Sequence, residues 1–123
     1  MTIRVLIVDD SAFIRRALKR ILGSDPDFEV TASAANGHLA LRALDEHEVD
    51  AVVLDVEMPV MNGIETLEAI RARDRSLPVV MFSTLTTQGG EAALEAMARG
   101  ASDCVAKPSN QGSQEAAFQA VQD

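Results

Sequence analysis

VVLDVEMPVMNG, residues 52–63, drives an apolar run straight into a carboxylate, Asp55, and follows it with Glu57, Pro59 and Gly63. A continuous Val and Leu run without alternation suits a parallel strand buried on both faces. An acid at the end of such a run marks the point where the strand leaves the core, held by the sheet yet facing solvent.

Four further runs have the same character, at 3–8, 28–33, 78–83 and 101–106, and the quoted one begins at 51 and reaches 54. Helical patterns lie between them. The first is SAFIRRALKRILG, residues 11–23, in which Phe13, Ile14, Ala17, Leu18 and Ile21 form an apolar stripe, Ser11 is placed to cap and Gly23 to terminate. Others are expected at 37–46, 63–73 and 89–99, and the tail offers a loop at about 109–113 and a short helix around 114–122. Met58, Met61, Met81 and Met97 read as packing residues. Strand and helix alternate five times, which predicts an α/β fold with a doubly wound five-stranded parallel sheet, helices on both faces and right-handed crossovers. Function in such folds gathers at the carboxyl ends of the strands.

At those ends stand Asp9 and Asp10 after the first run, Asp55 after the third, Ser83 on the fourth and Lys107 after the fifth. Adjacent acids alone are ordinary in a solvated turn, and a lone lysine is ordinary on a surface; their common edge is what carries weight. Two carboxylates about 4 Å apart repel by on the order of 4 kcal/mol at an effective dielectric near 20, and a divalent cation reverses that sign. Hard oxygen ligation points to Mg²⁺, while His38 and His47 lie on or near the second helix, away from the crevice, which disfavours zinc. An oriented carboxylate, a cation, an ammonium and a hydroxyl are the parts needed for phosphoryl transfer onto Asp55.

The bulk properties exclude other classes. At 123 residues one domain is expected, and an aromatic content of 3% requires an aliphatic core. A net charge of −8 opposes binding to nucleic acid or to an anionic membrane. The single Cys104 allows no internal disulfide, and no apolar run is long enough for a membrane span or secretion signal, so a cytoplasmic location is expected.

VDDS (8–11), LDVEMPVMNG (54–63), VVMFST (79–84) and AKP (106–108), in that order and spacing, resemble the receiver domains of two-component response regulators over essentially the whole chain. DDSAFIRR (9–16) and the stretch 79–109 are most similar to the receiver of the chemotaxis protein-glutamate methylesterase. The resemblance implies a flavodoxin-like strand order 2-1-3-4-5 and a single receiver domain over 1–123, with a histidine kinase as phosphodonor and an attached or separate methylesterase effector. It implies Asp55 as phosphoacceptor, Asp10 and Asp55 as direct Mg²⁺ ligands, a backbone carbonyl ligand from Glu57 and a metal-bound water on Asp9. Ser83 matches the hydroxyl that turns toward the phosphoryl group, Lys107 the lysine that pairs with it, and Pro108 a proline that commonly follows a cis peptide.

Two features depart from the family pattern. The aromatic residue usual three positions before the lysine is Cys104 here, and Phe82 cannot replace it because on a strand it faces away from Ser83. The methylesterase's Ser-nucleophile domain is not found before Asp123, which suits a receiver separated from its effector or a stand-alone regulator. A non-phosphorylated interaction domain is the alternative that the Cys104 departure keeps open. A phosphohydrolase of the haloacid-dehalogenase type would want Asp where Glu57 stands, and a flavin module would want a phosphate cradle where Asp9 and Asp10 stand.

Overall fold

The computed structural model describes residues 2–56, 58, 62–83 and 87–106. Strands β1 (Ile3–Val8), β2 (Phe28–Ala34), β3 (Ala51–Asp55), β4 (Val79–Ser83) and β5 (Asp103–Ala106) alternate with helices α1 (Ala12–Gly23), α2 (Gly37–Glu46), α3 (Gly63–Arg73) and α4 (Thr87–Ala98). All four strand pairings are parallel, in the order β2-β1-β3-β4-β5. The order reverses between β1 and β3, so the crevice that a doubly wound sheet opens at such a point lies between the ends of these two central strands.

Alternate residues of the central strands feed two cores. Leu6, Val8, Val52, Leu54, Val79 and Met81 pack with Ala40, Leu67, Ile70 and Ala96 of α2, α3 and α4. On the other face Val5, Ile7 and Phe82 meet Ile14, Ala17, Leu18 and Leu22 of α1. Period-two alternation within each strand with both sides buried is why the runs read as continuously apolar.

Several expected boundaries and burials shift. β3 includes Asp55 itself, in register with Phe82 of β4, and β2 runs on to Ala34. β5 begins at Asp103 rather than 101, because the backbone is still turning from Gly100 (φ 108) and Ser102 N–H already bonds to Val79 O. α4 begins at Thr87, two residues before the expected start and within a Gly-rich stretch of low helix propensity, and it ends at Ala98. Phe13 is 49% exposed rather than part of the stripe, since it lies roughly 100° round the helix from the buried face centred on Ile14, Leu18 and Ile21. Met97 is 45% exposed while Met58 and Met81 are buried. Met61, the loop at 109–113 and the helix at 114–122 lie outside the described residues.

Polar contacts tie the edge opposite the crevice. Arg71 of α3 donates to three carbonyls, Gly100 at 2.8 Å, Leu77 at 2.7 Å and Asp74 at 3.1 Å, and so joins the end of α3, its following loop and the turn after α4. Removing a cation that satisfies several backbone acceptors leaves them without it, and Arg71→Ala is expected to lower unfolding free energy by about 2–3 kcal/mol in a urea titration.

Arg4 on β1 reaches Asp50 ahead of β3 with both Nε (3.0 Å) and Nη2 (3.2 Å), and Glu48 with Nη1 (2.6 Å). These side-chain bonds from Arg4, joined by its backbone N–H, hold the Asp50 carboxyl below the usual carboxylate range. Such a contribution is present above the unfolded pKa, about 3.9 for Asp, and is lost as pH falls through the lower folded value. Asp50→Asn is therefore expected to flatten the acid side of the stability profile below about pH 4, where the wild-type urea midpoint should fall more steeply. Exposure of both partners keeps the effect modest at neutral pH.

No helix among the described residues is long and apolar enough to cross a membrane.

Candidate phosphoacceptor and cation site

Asp9 follows β1 directly and is 1% exposed, and Asp55, expected to face solvent where its strand leaves the core, instead ends β3 within the ladder opposite Phe82 and is also 1% exposed. Asp10 beside them is exposed. The three side chains each offer a carboxylate oxygen, and these atoms lie within 4.8 Å of one another. This is the trio expected from the strand ends, gathered where the strand order reverses.

Local structure fixes each acid. Asp9 N–H bonds to Ala34 O of the neighbouring strand (3.1 Å), and its Oδ1 accepts from Ser11 N–H at 2.8 Å, closing the turn into α1. Ser11 then caps α1 by accepting Ile14 N–H at 3.3 Å. Past Asp55, Val56 N–H bonds to Phe82 O (2.8 Å), and Gly63 N–H returns to Val56 O (2.9 Å), so the start of α3 is pinned against the end of β3. Asn62 and Glu65 complete a capping box there.

A set of hard carboxylate oxygens at one point, two of them buried, fits a divalent cation of the Mg²⁺ kind. Neither histidine competes: His38 is in α2 and His47 caps its far end. Ser83 ends β4 opposite Ala106, which puts its backbone on the same edge as Asp55. Glu57, Lys107 and Pro108 lie outside the described residues.

Cys104 occupies β5 on the α4 side, half-buried, with its Sγ 3.7 Å from Ala93 O. Burial, with the Asp103 charge added, pushes its thiol pKa up, as befits a small apolar packing residue rather than a reactive thiolate. Phe82 is 1% exposed in the opposite core against α1, so it does not stand in for an aromatic at position 104.

Two residues bearing on the site, Arg15 and Gly63, were given no role at the site from sequence, although Gly63 was noted as the end of the quoted stretch. Arg15, one turn into α1, donates through Nη1 to the Asp9 carbonyl at 2.7 Å. Gly63 approaches the Asp55 carbonyl so closely that a Cβ would sit 2.1 Å from it. The only sequence signals were a basic residue following the acid pair and the small residue ending the quoted stretch.

Residues 5–119 match the family model described as the response regulator receiver domain. A protein-glutamate methylesterase/protein-glutamine glutaminase of Nocardioides sp. is 50% identical over 111 residues, covering 90% of this chain and 30% of the relative. The chain thus spans under a third of that protein's length. Among solved structures, the response regulator domain of Thermotoga maritima CheB superposes with a TM-score of 0.85 at 38% identity, covering 99% of this chain and 92% of that one. A chain of the CheX-CheY-BeF3-Mg+2 complex from Borrelia burgdorferi also matches, with a TM-score of 0.77 at 31% identity, covering 98% of this chain and 90% of that one.

Proposed function

The chain belongs to the response regulator receiver domain family, and on that premise we propose that it accepts a phosphoryl group on Asp55 from a histidine kinase and relays that state to a chemotaxis methylesterase. The observation carrying the chemistry is the cluster of Asp9, Asp10 and Asp55 at the strand-order reversal. The relatives that are full-length methylesterases support the effector. The BeF3 and Mg+2 named for the Borrelia burgdorferi complex support the ligand class.

In this reading Asp55 is the nucleophile. Its carboxylate oxygen forms the new P–O bond as the P–N bond of a phosphohistidine breaks, and the departing imidazole retains its electron pair and takes up a proton. Asp10 and Asp55 would hold Mg²⁺ directly, with the Glu57 carbonyl, and Asp9 through water. The ion, when bound, supplies positive charge that offsets the phosphoryl oxygens. Lys107 pairs with the arriving group and Ser83 donates its hydroxyl to it. Asp55, at the end of a central strand and almost fully buried, is held rigid for in-line attack.

The chain acts as a regulatory domain, cytoplasmic, with the methylesterase as a neighbouring domain or separate protein. Its readout is the α4 and β5 surface, where Cys104 in place of an aromatic leaves the coupling to α4 to be carried by packing against Ala93. Incubation with a phosphorylated chemotaxis histidine kinase tests the reading. Transfer of label to the wild type but not to Asp55→Asn is expected, and equal labelling of both would place the acceptor elsewhere.

A further inference from the structure

The Arg15 side chain reaches back from α1 to the carbonyl of the peptide that joins Asp9 to Asp10, at 2.7 Å in a part-buried contact. The same turn is held by Asp9 N–H to Ala34 O at 3.1 Å, Ser11 N–H to Asp9 Oδ1 at 2.8 Å and Arg15 N–H to Ser11 O at 3.0 Å. The guanidinium contact acts on the one peptide plane whose rotation would swing the two acids relative to each other.

Two effects of Arg15 on a cation at the acids have opposite sign. Coulomb's law makes a fixed guanidinium repel a second cation, so removing it should tighten binding. Fixing the peptide should instead favour a metal that demands near-ideal octahedral ligands, so removing the arginine should loosen binding. The guanidinium is directed at a main-chain carbonyl, and Asp10 is open to solvent, where charge repulsion is screened. A charge-assisted bond to that carbonyl is strong and directional. We propose that Arg15 is a positioning residue for the cation site, holding the Asp9–Asp10 peptide so that both carboxylates serve one ion, and that this outweighs its repulsion.

The inference rests on Mg²⁺ binding at the acid cluster, and its test separates the two claims. The chain is titrated calorimetrically with MgCl2 at fixed ionic strength as wild type, Asp10→Asn, Arg15→Gln, Arg15→Met and Arg15→Lys. Wild type should bind and Asp10→Asn should not. Arg15→Gln and Arg15→Met should each weaken affinity by about tenfold, and Arg15→Lys, which keeps a charged donor, should recover most of it. The Met variant keeps the aliphatic stem and reports the effect even if Gln disturbs the helix. Gln or Met variants that bind as tightly as wild type, or more tightly, overturn the positioning role and leave the acid site standing. A wild type that binds no Mg²⁺ overturns the site itself.

Discussion

Gly63→Ala is expected to lower the unfolding free energy by about 3 kcal/mol or more and to abolish Mg²⁺ binding in the same protein. A Cβ at this position would lie 2.1 Å from the Asp55 carbonyl oxygen and 2.6 Å from Val56 Cα, both main-chain atoms at the end of a central strand. No side chain can swing aside to make room. Either α3 moves outward, lifting Leu67 and Ile70 from full burial, or the end of β3 moves and carries Asp55 with it. Overpacking a core costs about 1–3 kcal/mol when side chains can adjust, and more when the backbone must. Gly23, with nothing within 4 Å of its added Cβ, is the matched control, and Gly23→Ala should be neutral or slightly stabilising. Denaturant midpoints with parallel Mg²⁺ titrations check both; a Gly63→Ala protein with the wild-type midpoint would contradict the close approach.

Asp55→Asn is expected to change stability in opposite directions with and without cation. Carboxylate oxygens of three acids within 4.8 Å of one another repel when no ion is present, and converting one to a neutral isostere relieves about 1–3 kcal/mol after allowance for the exposed Asp10. The metal-free variant should therefore melt above the wild type. In excess MgCl2 the wild type gains RT ln(1 + [L]/Kd), about 2.7 kcal/mol at a hundred times Kd, and the variant gains little. Melting curves in chelator and in MgCl2 should thus cross over in rank. A variant that melts below wild type without metal would show that Asp55 is held by favourable contacts rather than strained by its neighbours.

Much of this was legible in the chain. Ile3–Val8, Gly37–Glu46 and Gly63–Arg73 coincide with the expected spans, because an unbroken apolar run and a helical apolar periodicity are both local signals. The acids at the site were legible for the same reason, since a carboxylate at the end of a buried run has only the strand's mouth to occupy. What escaped depended on approach in space. Phe13 belongs to the helical pattern but not to the buried face, because only the sheet decides which side of α1 is covered. Met97 points to solvent because α4 spends its buried face on Ala92 and Ala96. The need for glycine at position 63 arises from the return of α3 onto β3, and the Arg15 contact from the fold of a turn, neither of which has a spacing rule.

The most direct measurement is intact mass after incubation with MgCl2 and a small-molecule phosphodonor, beside Asp55→Asn and a metal-free control. The account predicts one added labile phosphoryl group on the wild type, absent without Mg²⁺ and absent from the variant. An unmodified wild type under conditions where its Mg²⁺ site is filled, or a variant modified to the same extent, would contradict it.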